Sequence, residues 1–335
     1  MTRPSGLQAE ESRRTLGRLF APIQAGLAAA ERVFQDELKS RHPFVQTLVD
    51  HCGDYQGKRL RPALVLLTGG ACGRIGEAHP ILAAVVEMVH TATLVHDDVL
   101  DESLVRRHAA TVNAEWGNES AVMLGDYLFA HAYRLAASLE TTLACRWIGV
   151  AAKEVCEGEL QQIHNRGNLD LDEATYSQII AGKTAALTAV SCRLGAHYAG
   201  ALEPAVAAME SYGWHVGMAF QIADDVLDIW GDERATGKSL GTDLEKQKLT
   251  LPIIRLLEAG DPAAVAEARG LLMEARAGSR GRLQPLLEES GALDYAWAKA
   301  RWHVEQAIAA LDVAAPSPYK DVLAEMAEYV LRRSS

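Results

Sequence analysis

Apolar residues recur every three or four positions along nearly the whole chain, which is the spacing of an α-helix with a buried face. Several stretches are apolar around most of their circumference, and this predicts central, buried helices. The clearest are LGRLFAPIQAGLAAAERVF, ILAAVVEMVHTATLVHDDVL, AVMLGDYLFAHAYRLAASL, AALTAVSCRLGAHYAGAL and ESYGWHVGMAFQIADDVLDIW. The sequence contains no series of alternating strand patterns, so the hydrophobic pattern predicts an all-α fold.

Segments rich in glycine, aspartate and proline separate the helical stretches. They lie at about 53–58, 69–80, 103–118, 165–172 and 231–247. None of them has the length or the Pro/Ser-rich composition of an interdomain linker. We therefore expect residues 1–335 to form a single all-α domain with long loops at one end.

Composition narrows the class of protein. Of the 335 residues, 49% are hydrophobic, 23% are charged and only 6% are aromatic, a soluble profile that favours helix. The net charge of −11 argues against general nucleic-acid binding, which needs a basic surface. Five dispersed cysteines indicate reduced thiols, and neither a signal peptide nor a transmembrane run is evident. These features predict a cytoplasmic protein.

The pentapeptide DDVLD occurs twice, at residues 97–101 and 224–228, each time behind an apolar stretch. On a helix its first and last aspartates share one face about 6 Å apart, and their repulsion destabilises that helix end. A divalent cation would relieve the repulsion, and ligands that are all carboxylates suit Mg²⁺. Two solvated helix ends without a ligand are the plainer interpretation. The repetition, with basic residues nearby, favours a diphosphate held by Mg²⁺ between two carboxylate clusters.

Basic residues accompany both motifs in the loops. Any one of them alone would be a solvated surface charge, and Lys183 is unusual because it interrupts an apolar run. Together they outnumber what one diphosphate needs. The basic residues are Lys58, Arg59 and Arg61 in GKRLRP, Arg106 and Arg107 after the first motif, Lys183 in GKTA, and Lys238 and Lys248 after the second motif.

These motifs occur in an order that resembles the trans-isoprenyl diphosphate synthases, also called polyprenyl synthetases, and most of all their long-chain, octaprenyl-type members. The resemblance covers about residues 55–255 and rests on GKRLRP, HTATLVHDDVLDESLVRR, GKTA, FQIADDVLD and GKSLGTDLEKQKLTLP. It implies the isoprenoid-synthase fold, which is an all-α bundle around a deep central cavity. It also implies a homodimer.

The resemblance also implies roles for individual residues. The Mg²⁺ ligands would be Asp97, Asp101 and Asp224, supported by Asp98, Asp225 and Asp228, with three ions bound alongside diphosphate. Isopentenyl diphosphate would be held by Lys58, Arg61, His90 and Arg107. The allylic diphosphate side would be formed by Arg106, Lys183, Thr184, Gln221, Lys238 and Lys248.

Some positions need comment. His90 alone would be interpreted as a core residue, and only the resemblance gives it a ligand role. We interpret His96 as a packing or supporting residue. Lys183, Thr184 and Gln221 are expected to steady the carbocation of the reaction. His108 and Gln247 stand where the family commonly has glycine, which affects loop flexibility and removes no ligand.

The implied reaction is sequential head-to-tail (1′-4) condensation of isopentenyl diphosphate onto an allylic primer such as farnesyl or geranylgeranyl diphosphate. In the family, bulky aromatic residues four and five positions before the first motif stop growth early. Here those positions hold Thr93 and Ala92, so we predict a hexaprenyl to decaprenyl product, with octaprenyl favoured. Candidate floor residues are Met123, Leu124 and Phe129.

Three alternatives remain open. A shorter-chain farnesyl or geranylgeranyl diphosphate synthase would share all of the motifs. A class I terpene cyclase of the same fold would have no use for a second diphosphate site at Lys58 and Arg61. A non-catalytic subunit of a heteromeric synthase would be expected to lose aspartates, and none is missing here.

Overall fold

The structure is a computed structural model that describes residues 17–53, 57–106, 109–230, 241–274 and 279–332. Two of the expected diphosphate ligands, Arg107 and Lys238, lie outside the described residues. His108, where glycine had been the expected family residue, also lies outside them.

The prediction of an all-α fold is confirmed. In chain order the helices are α1 (Gln24–Glu37), α2 (Pro43–Gly53), α3 (Leu60–Ala71), α4 (Ala78–Leu100), α5 (Val112–Ala137), α6 (Leu143–His164), α7 (Glu173–Ile180), a π-helix (Ala181–Ala185), α8 (Ala186–Tyr198), α9 (Glu203–Trp230), α10 (Thr242–Glu245), α11 (Leu251–Ala259), α12 (Pro262–Glu274), α13 (Ser279–Glu289), α14 (Ala292–Ala310) and α15 (Pro318–Arg332). Short 3₁₀ turns precede α1 and α15. Strand β1 (Val105–Arg106) pairs antiparallel with β2 (Ala109–Ala110), with Arg106 opposite Ala109.

The buried apolar residues of the described chain form two cores. The first is built from α3, α4, α5, α8 and the inner face of α9, with Leu66, Val86 and Leu128 completely buried. The second core is formed by α7, the four helices from α11 through α14, and the other face of α9. It includes Ile222 and Ile254. Helix α9 contributes to both cores, so its C-terminal end, which carries the second aspartate motif, is fixed from both sides.

Helix α4 is long and apolar enough to cross a membrane by length and composition alone. Two thirds of its most apolar window is buried, and the helix packs against α1, α3, α5 and α8. Its apolar character therefore comes from its central position in the first core, as the sequence pattern predicts. The first aspartate motif ends this helix.

Two glycines allow α9 to approach its neighbours closely. A Cβ atom at Gly213 would lie 2.4 Å from the carbonyl oxygen of Thr188, and one at Gly217 would lie 2.6 Å from the Cα of Ala185. Since real side chains do not pack at such distances, glycine is required at both positions. This approach brings the second half of α9 against the π-helix, where Thr184 lies.

A pair of histidines joins α9 to α14. Nδ1 of His215 and Nδ1 of His303 are 2.9 Å apart, so one ring donates a hydrogen bond to the other and the accepting ring is neutral. The edges of Trp214 and Trp302 contact the pair. Burial, together with the charges of His215 and Lys299, lowers the pKa of His303 from 6.5 to about 4.

This pair should make the fold sensitive to acid. His303 is neutral in the folded chain and titrates near 6.5 when unfolded, so its contribution is complete above that pH and is lost as the pH falls towards 4. We expect the variant His303→Gln to lose less unfolding free energy than the native chain over this range. Urea unfolding at several pH values measures the difference, and parallel pH dependences would contradict the prediction.

Candidate active site

The first aspartate motif forms the last turn of α4 and its C-cap. Asp98 is buried, with 1% of its surface exposed, and both of its carboxylate oxygens accept from Nε of Arg106, at 2.8 and 2.9 Å. Arg106 lies on β1, so this ion pair folds the hairpin back over the helix end. Asp98 therefore has an ion-pair partner on the hairpin, whereas Asp97 is only partly buried and is influenced electrostatically by Lys183 and Glu159.

Asp101 is surrounded by cations. Its carboxylate accepts from Arg166 at 3.2 Å and from Lys248 at 3.2 Å, and Nζ of Lys246 lies 3.0 Å away. Burial alone would raise the pKa of Asp101. The charges of Lys248 and Lys246 outweigh this effect and hold the pKa of Asp101 below its ordinary value. Lys248 was predicted from its motif, whereas Arg166 and Lys246 were not, because a surface lysine or arginine has no sequence pattern of its own.

Between the two lysines, Gln247 has a left-handed backbone with φ of 54°. Glycine adopts this conformation without a steric cost, so the left-handed backbone is compatible with the glycine that the resemblance led us to expect at this position. The carbonyl of Gln247 accepts a hydrogen bond from the amide of Gly167 at 2.9 Å, which holds the strained turn. The turn places Lys246 and Lys248 on the same carboxylate.

The second motif contains a buried hydrogen-bond network. Asp225 accepts from the hydroxyl of Tyr176 at 2.6 Å and from Nε2 of Gln221 at 2.7 Å. Because Gln221 donates to Asp225, its amide oxygen faces Thr184 and accepts from that hydroxyl at 2.7 Å. Burial, with Asp243 nearby, raises the pKa of Asp225 well above its ordinary value. The predicted residues Thr184, Gln221 and Asp225 are thus joined by direct hydrogen bonds, and Tyr176, which the sequence did not indicate, donates to the same aspartate.

Asp228, at the end of the second motif, contacts the segment that begins α10. Its carboxylate accepts from the backbone amide of Asp243 at 3.2 Å, and its carbonyl accepts from Gly241 at 2.9 Å. Burial and the charge of Asp228 raise the pKa of Asp243 to about 6. Asp224 lies one turn before Asp228 on α9 and also acts on Asp243 electrostatically. Asp243 is thus a further carboxylate of this cluster, missed although it lies within GTDLEKQK.

Lys183 lies on the π-helix and points towards both aspartate motifs. Its ammonium group is 2.5 Å from Oε2 of Glu159 on α6. Burial alone would lower the pKa of Lys183. The charges of Asp97 and Glu159 outweigh this effect and raise the pKa of Lys183. Burial conversely raises the pKa of Asp97 to about 6, while Lys183 opposes that rise. The lysine in the apolar run therefore has the carboxylate partners that its burial requires.

The π-helix rests directly on α6. A Cβ atom at Gly158 would lie 2.6 Å from the backbone nitrogen of Lys183, and one at Gly182 would lie 2.6 Å from the carbonyl oxygen of Glu154. Wide π-turns occur frequently at functional sites, where they redirect a side chain. Here the close backbone contact at the two glycines fixes the position of the π-helix on α6, and with it the positions from which the side chains of Lys183 and Thr184 extend.

A pocket of about 80 Å³ joins these groups. Asp225 and Asp243 line it together with Lys183 and Lys248, and the hydroxyl of Thr250 is buried at its wall without a hydrogen-bond partner among the described residues. Lys248 also contacts Asp101, so this one side chain lies between the two aspartate motifs. The motifs, 127 positions apart in sequence, therefore belong to one site.

The described residues predicted to hold isopentenyl diphosphate lie in the turn before α3, in α3 and in α4. Lys58 is exposed, 5.7 Å above the ring of Tyr329, and Arg61 is half-buried in the first turn of α3. His90 is half-buried on α4, and its carbonyl accepts from the hydroxyl of Thr93 at 2.7 Å. Helices α3 and α4 pack against each other, which places these groups along one pair of helices.

The residues behind the first motif have small side chains. Ala92 is completely buried and Thr93 is partly exposed. Of the expected floor residues, Leu124 is buried and Phe129 is half-buried, but Met123 is 65% exposed on α5. Met123 as a floor within this chain is therefore wrong, because the helix turns that side chain outwards.

His96 has a packing role, as expected. Its Nε2 lies 3.0 Å from the carbonyl of Val122, and a Cβ atom at Gly125 would lie 2.1 Å from the ring. The ring thus fills the space between α4 and α5.

Among the described residues, no three histidine, cysteine, aspartate or glutamate side chains stand close enough to hold a metal ion by themselves. A metal ion here would need further oxygen ligands.

Comparison with known proteins gives a consistent result. Residues 42–289 match the polyprenyl synthetase family. The chain is 36% identical over 320 residues to the all-trans-nonaprenyl-diphosphate synthase (geranyl-diphosphate specific) of Rhodobacter capsulatus, covering 94% of this chain and 97% of that protein. It is 38% identical over 286 residues to the geranylgeranyl diphosphate synthase of Mycobacterium tuberculosis, covering 83% and 80%.

A solved structure with the same fold contains ligands. It is the crystal structure of a polyprenyl synthase from Caulobacter crescentus CB15 complexed with calcium and isoprenyl diphosphate. The TM-score is 0.88 at 32% identity, over 96% of this chain and 98% of that chain. The likeness therefore extends over nearly the whole of both chains.

The contact between α6 and the π-helix can be tested by stability measurements. The variant Gly158→Ala should lower the unfolding free energy by about 1–3 kcal/mol, because its Cβ would overlap the backbone of Lys183. Gly149→Ala on the same helix is the matched control, since nothing lies within 4 Å of an added Cβ. The control should be neutral or stabilising by up to about 1 kcal/mol. Equal effects of the two substitutions in denaturant unfolding would contradict the close contact.

Proposed function

The chain belongs to the polyprenyl synthetase family and is a polyprenyl diphosphate synthase, a prenyltransferase of isoprenoid biosynthesis, and we propose that it makes a long-chain all-trans polyprenyl diphosphate. The reaction is sequential head-to-tail (1′-4) condensation of isopentenyl diphosphate onto an allylic diphosphate. The observation that carries this proposal is the position of Lys248 between Asp101 and the pocket that Asp225 and Asp243 line. This position of Lys248 supports a single diphosphate site that has the carboxylates of one aspartate motif on each side.

The donor set suits Mg²⁺. Asp97, Asp101 and Asp224 are the proposed ligands, and carboxylates with no histidine or cysteine favour a hard cation that retains water and phosphate oxygens. The raised pKa of Asp97 supports the fit, because a divalent cation would stabilise its ionised form. We propose three ions per site. Bound Mg²⁺ supplies Lewis-acid neutralisation of the diphosphate charge.

Asp101 places a condition on this arrangement. Arg166, Lys246 and Lys248 already balance its charge within the protein. When substrate binds, these cations exchange the carboxylate for diphosphate oxygens, and Asp101 becomes available as a ligand. Lysine suits this exchange because its ammonium group is a compact charge on a flexible stem.

The allylic diphosphate is held by Arg106, Lys183 and Lys248, and Lys238, which lies outside the described residues, is a further proposed ligand. Its C1–O bond breaks, the diphosphate leaves with the electron pair, and an allylic cation remains. Thr184 and Gln221 steady this cation with their dipoles. The hydrogen bond from Thr184 to Gln221 and the one from Gln221 to Asp225 keep both side chains in one orientation. A site that excludes water is needed so that the cation is not hydrolysed.

Isopentenyl diphosphate is held by Lys58, Arg61 and His90, with Arg107 completing the group. Its double bond attacks C1 of the cation, forming the new carbon–carbon bond. A proton is then lost from the adjacent carbon to the departing diphosphate, and a new allylic diphosphate is formed. The product is again a substrate, so the cycle repeats until the chain meets a bulky residue.

Product length is the finer part of the proposal. Thr93 and Ala92 are small and place no aromatic ring at the two positions four and five residues before the first motif, which supports a hexaprenyl to decaprenyl product. Relatives of similar identity include a nonaprenyl and a geranylgeranyl diphosphate synthase, so similarity alone does not fix the length. The proposed primer is farnesyl or geranylgeranyl diphosphate.

We propose that residues 1–335 form one domain and that the enzyme is a cytoplasmic homodimer. Apolar side chains on the outer faces of α5 and α6 support the dimer. Met123 and Leu160 are each 65% exposed, Val150 is 54% exposed and Val122 is 41% exposed. A monomer that left these side chains in water would forgo their burial, which is the usual driving force for association.

Chain elongation is the direct test. Purified protein with isopentenyl diphosphate, farnesyl diphosphate and Mg²⁺ should yield products of hexaprenyl to decaprenyl length in chromatographic sizing. The variant Thr93→Phe should shorten them, because an aromatic ring then lies one turn behind Asp97. The native enzyme with the metal chelated is the control.

The outcomes separate the alternatives. Absence of any elongation would overturn the synthase assignment for this chain and would fit a non-catalytic subunit. Products that stop at geranylgeranyl length would contradict the long-chain proposal alone. Release of a cyclic hydrocarbon from the primer would instead indicate a terpene cyclase.

A further inference from the structure

Three basic residues, Lys58, Arg59 and Arg61, lie within four positions at the start of α3, and the structure separates their functions. Arg59 is the N-cap of α3 and has a left-handed backbone, with φ of 50° and ψ of 35°. Residues with a Cβ atom rarely adopt this conformation unless the surroundings enforce it. Lys58 and Arg61 lie on either side of this strained residue.

The guanidinium group of Arg59 is occupied by the protein itself. One terminal nitrogen lies 2.8 Å from a carboxylate oxygen of Glu31 on α1, and the other donates to Glu87 on α4 at 2.7 Å. The group also lies over the ring of Phe34, 5.8 Å from its centre. Three side chains from two helices therefore hold Arg59 in place.

Glu87 makes this arrangement demanding. It is buried, with 6% of its surface exposed, and a buried carboxylate needs a charged partner or a set of hydrogen bonds. Glu87 also precedes His90 by three residues on α4, so the two share one side of that helix. The ion pair thus ties the turn before α3 to the part of α4 that carries His90.

We propose that Arg59 is a positioning residue for the isopentenyl diphosphate site. Its charge is used by Glu31 and Glu87, and its two ion pairs enforce the left-handed turn that presents Lys58 and Arg61 to the diphosphate. This inference rests on the proposed function, in which Lys58, Arg61 and His90 hold that substrate. Bidentate arginine suits the role because one planar group contacts two carboxylates at once.

The variant Arg59→Gly tests the contribution of the ion pairs separately from the steric cost of the left-handed backbone. Glycine accepts the left-handed conformation freely but provides neither ion pair. We expect the KM for isopentenyl diphosphate to rise about tenfold, with kcat and the KM for the allylic primer within about twofold of native values. A merely structural residue would lower activity and stability without separating the two substrates.

Two further variants refine the test. Arg59→Lys keeps the charge but cannot span both carboxylates, so it should restore only part of the affinity. If Arg59 acts through Glu87, the double variant Arg59→Gly with Glu87→Gln should be less impaired than the sum of the single variants. Arg282→Gln is the matched control, because it removes a surface ion pair with Glu267 on distant helices.

A second readout keeps the test independent of turnover. Hydrogen exchange of the backbone amides of residues 57–61 should be faster in Arg59→Gly than in the native chain or in Arg282→Gln. Unchanged exchange together with an unchanged KM for isopentenyl diphosphate would overturn the inference. If the native enzyme does not elongate the primer, the proposed function fails first, and the exchange data still decide whether Arg59 orders the turn.

Discussion

Electrostatic repulsion among carboxylates is the constraint on which this structure depends. Two helices from the core end in aspartate-rich turns, and Asp243 adds a further carboxylate to the second cluster. Such a concentration of like charge is stable only when cations lie within a few ångströms. Among the described residues, three cations lie at Asp101, one lies at Asp98 and one is shared by Asp97 and Glu159. The remaining negative charge suits Mg²⁺ and its diphosphate.

The helical core provides the precision that this balance requires. Glycines bring α9 onto α8 and the π-helix onto α6 with backbones in contact, so the side chains of the site leave rigid elements at fixed heights. The cations that must move, Lys246 and Lys248, lie on a short strained turn instead. Carboxylates on rigid helices, combined with lysines that can move, suit a site that binds and releases diphosphate in every cycle.

The sequence predicted the helical fold and the two motifs well, because both depend on local spacing. It could not rank residues within a motif. Asp98 and Asp101 look alike in DDVLD, yet one is buried with Arg106 and the other faces three cations. Arg59 likewise resembled Lys58 and Arg61 until its carboxylate partners were seen. Tyr176 and Glu159 come from distant segments, and only tertiary packing brings them to the site.

One measurement tests the central claim, that both aspartate motifs hold the same Mg²⁺–diphosphate. Calorimetry would give the Mg²⁺-dependent affinity for farnesyl thiodiphosphate, a non-reactive allylic analogue, in Asp97→Ala, Asp224→Ala and the double variant. One shared site predicts that each single change weakens binding by about tenfold or more and that the double variant is little worse than either. Independent, additive effects, or native affinity in either single variant, would contradict the claim.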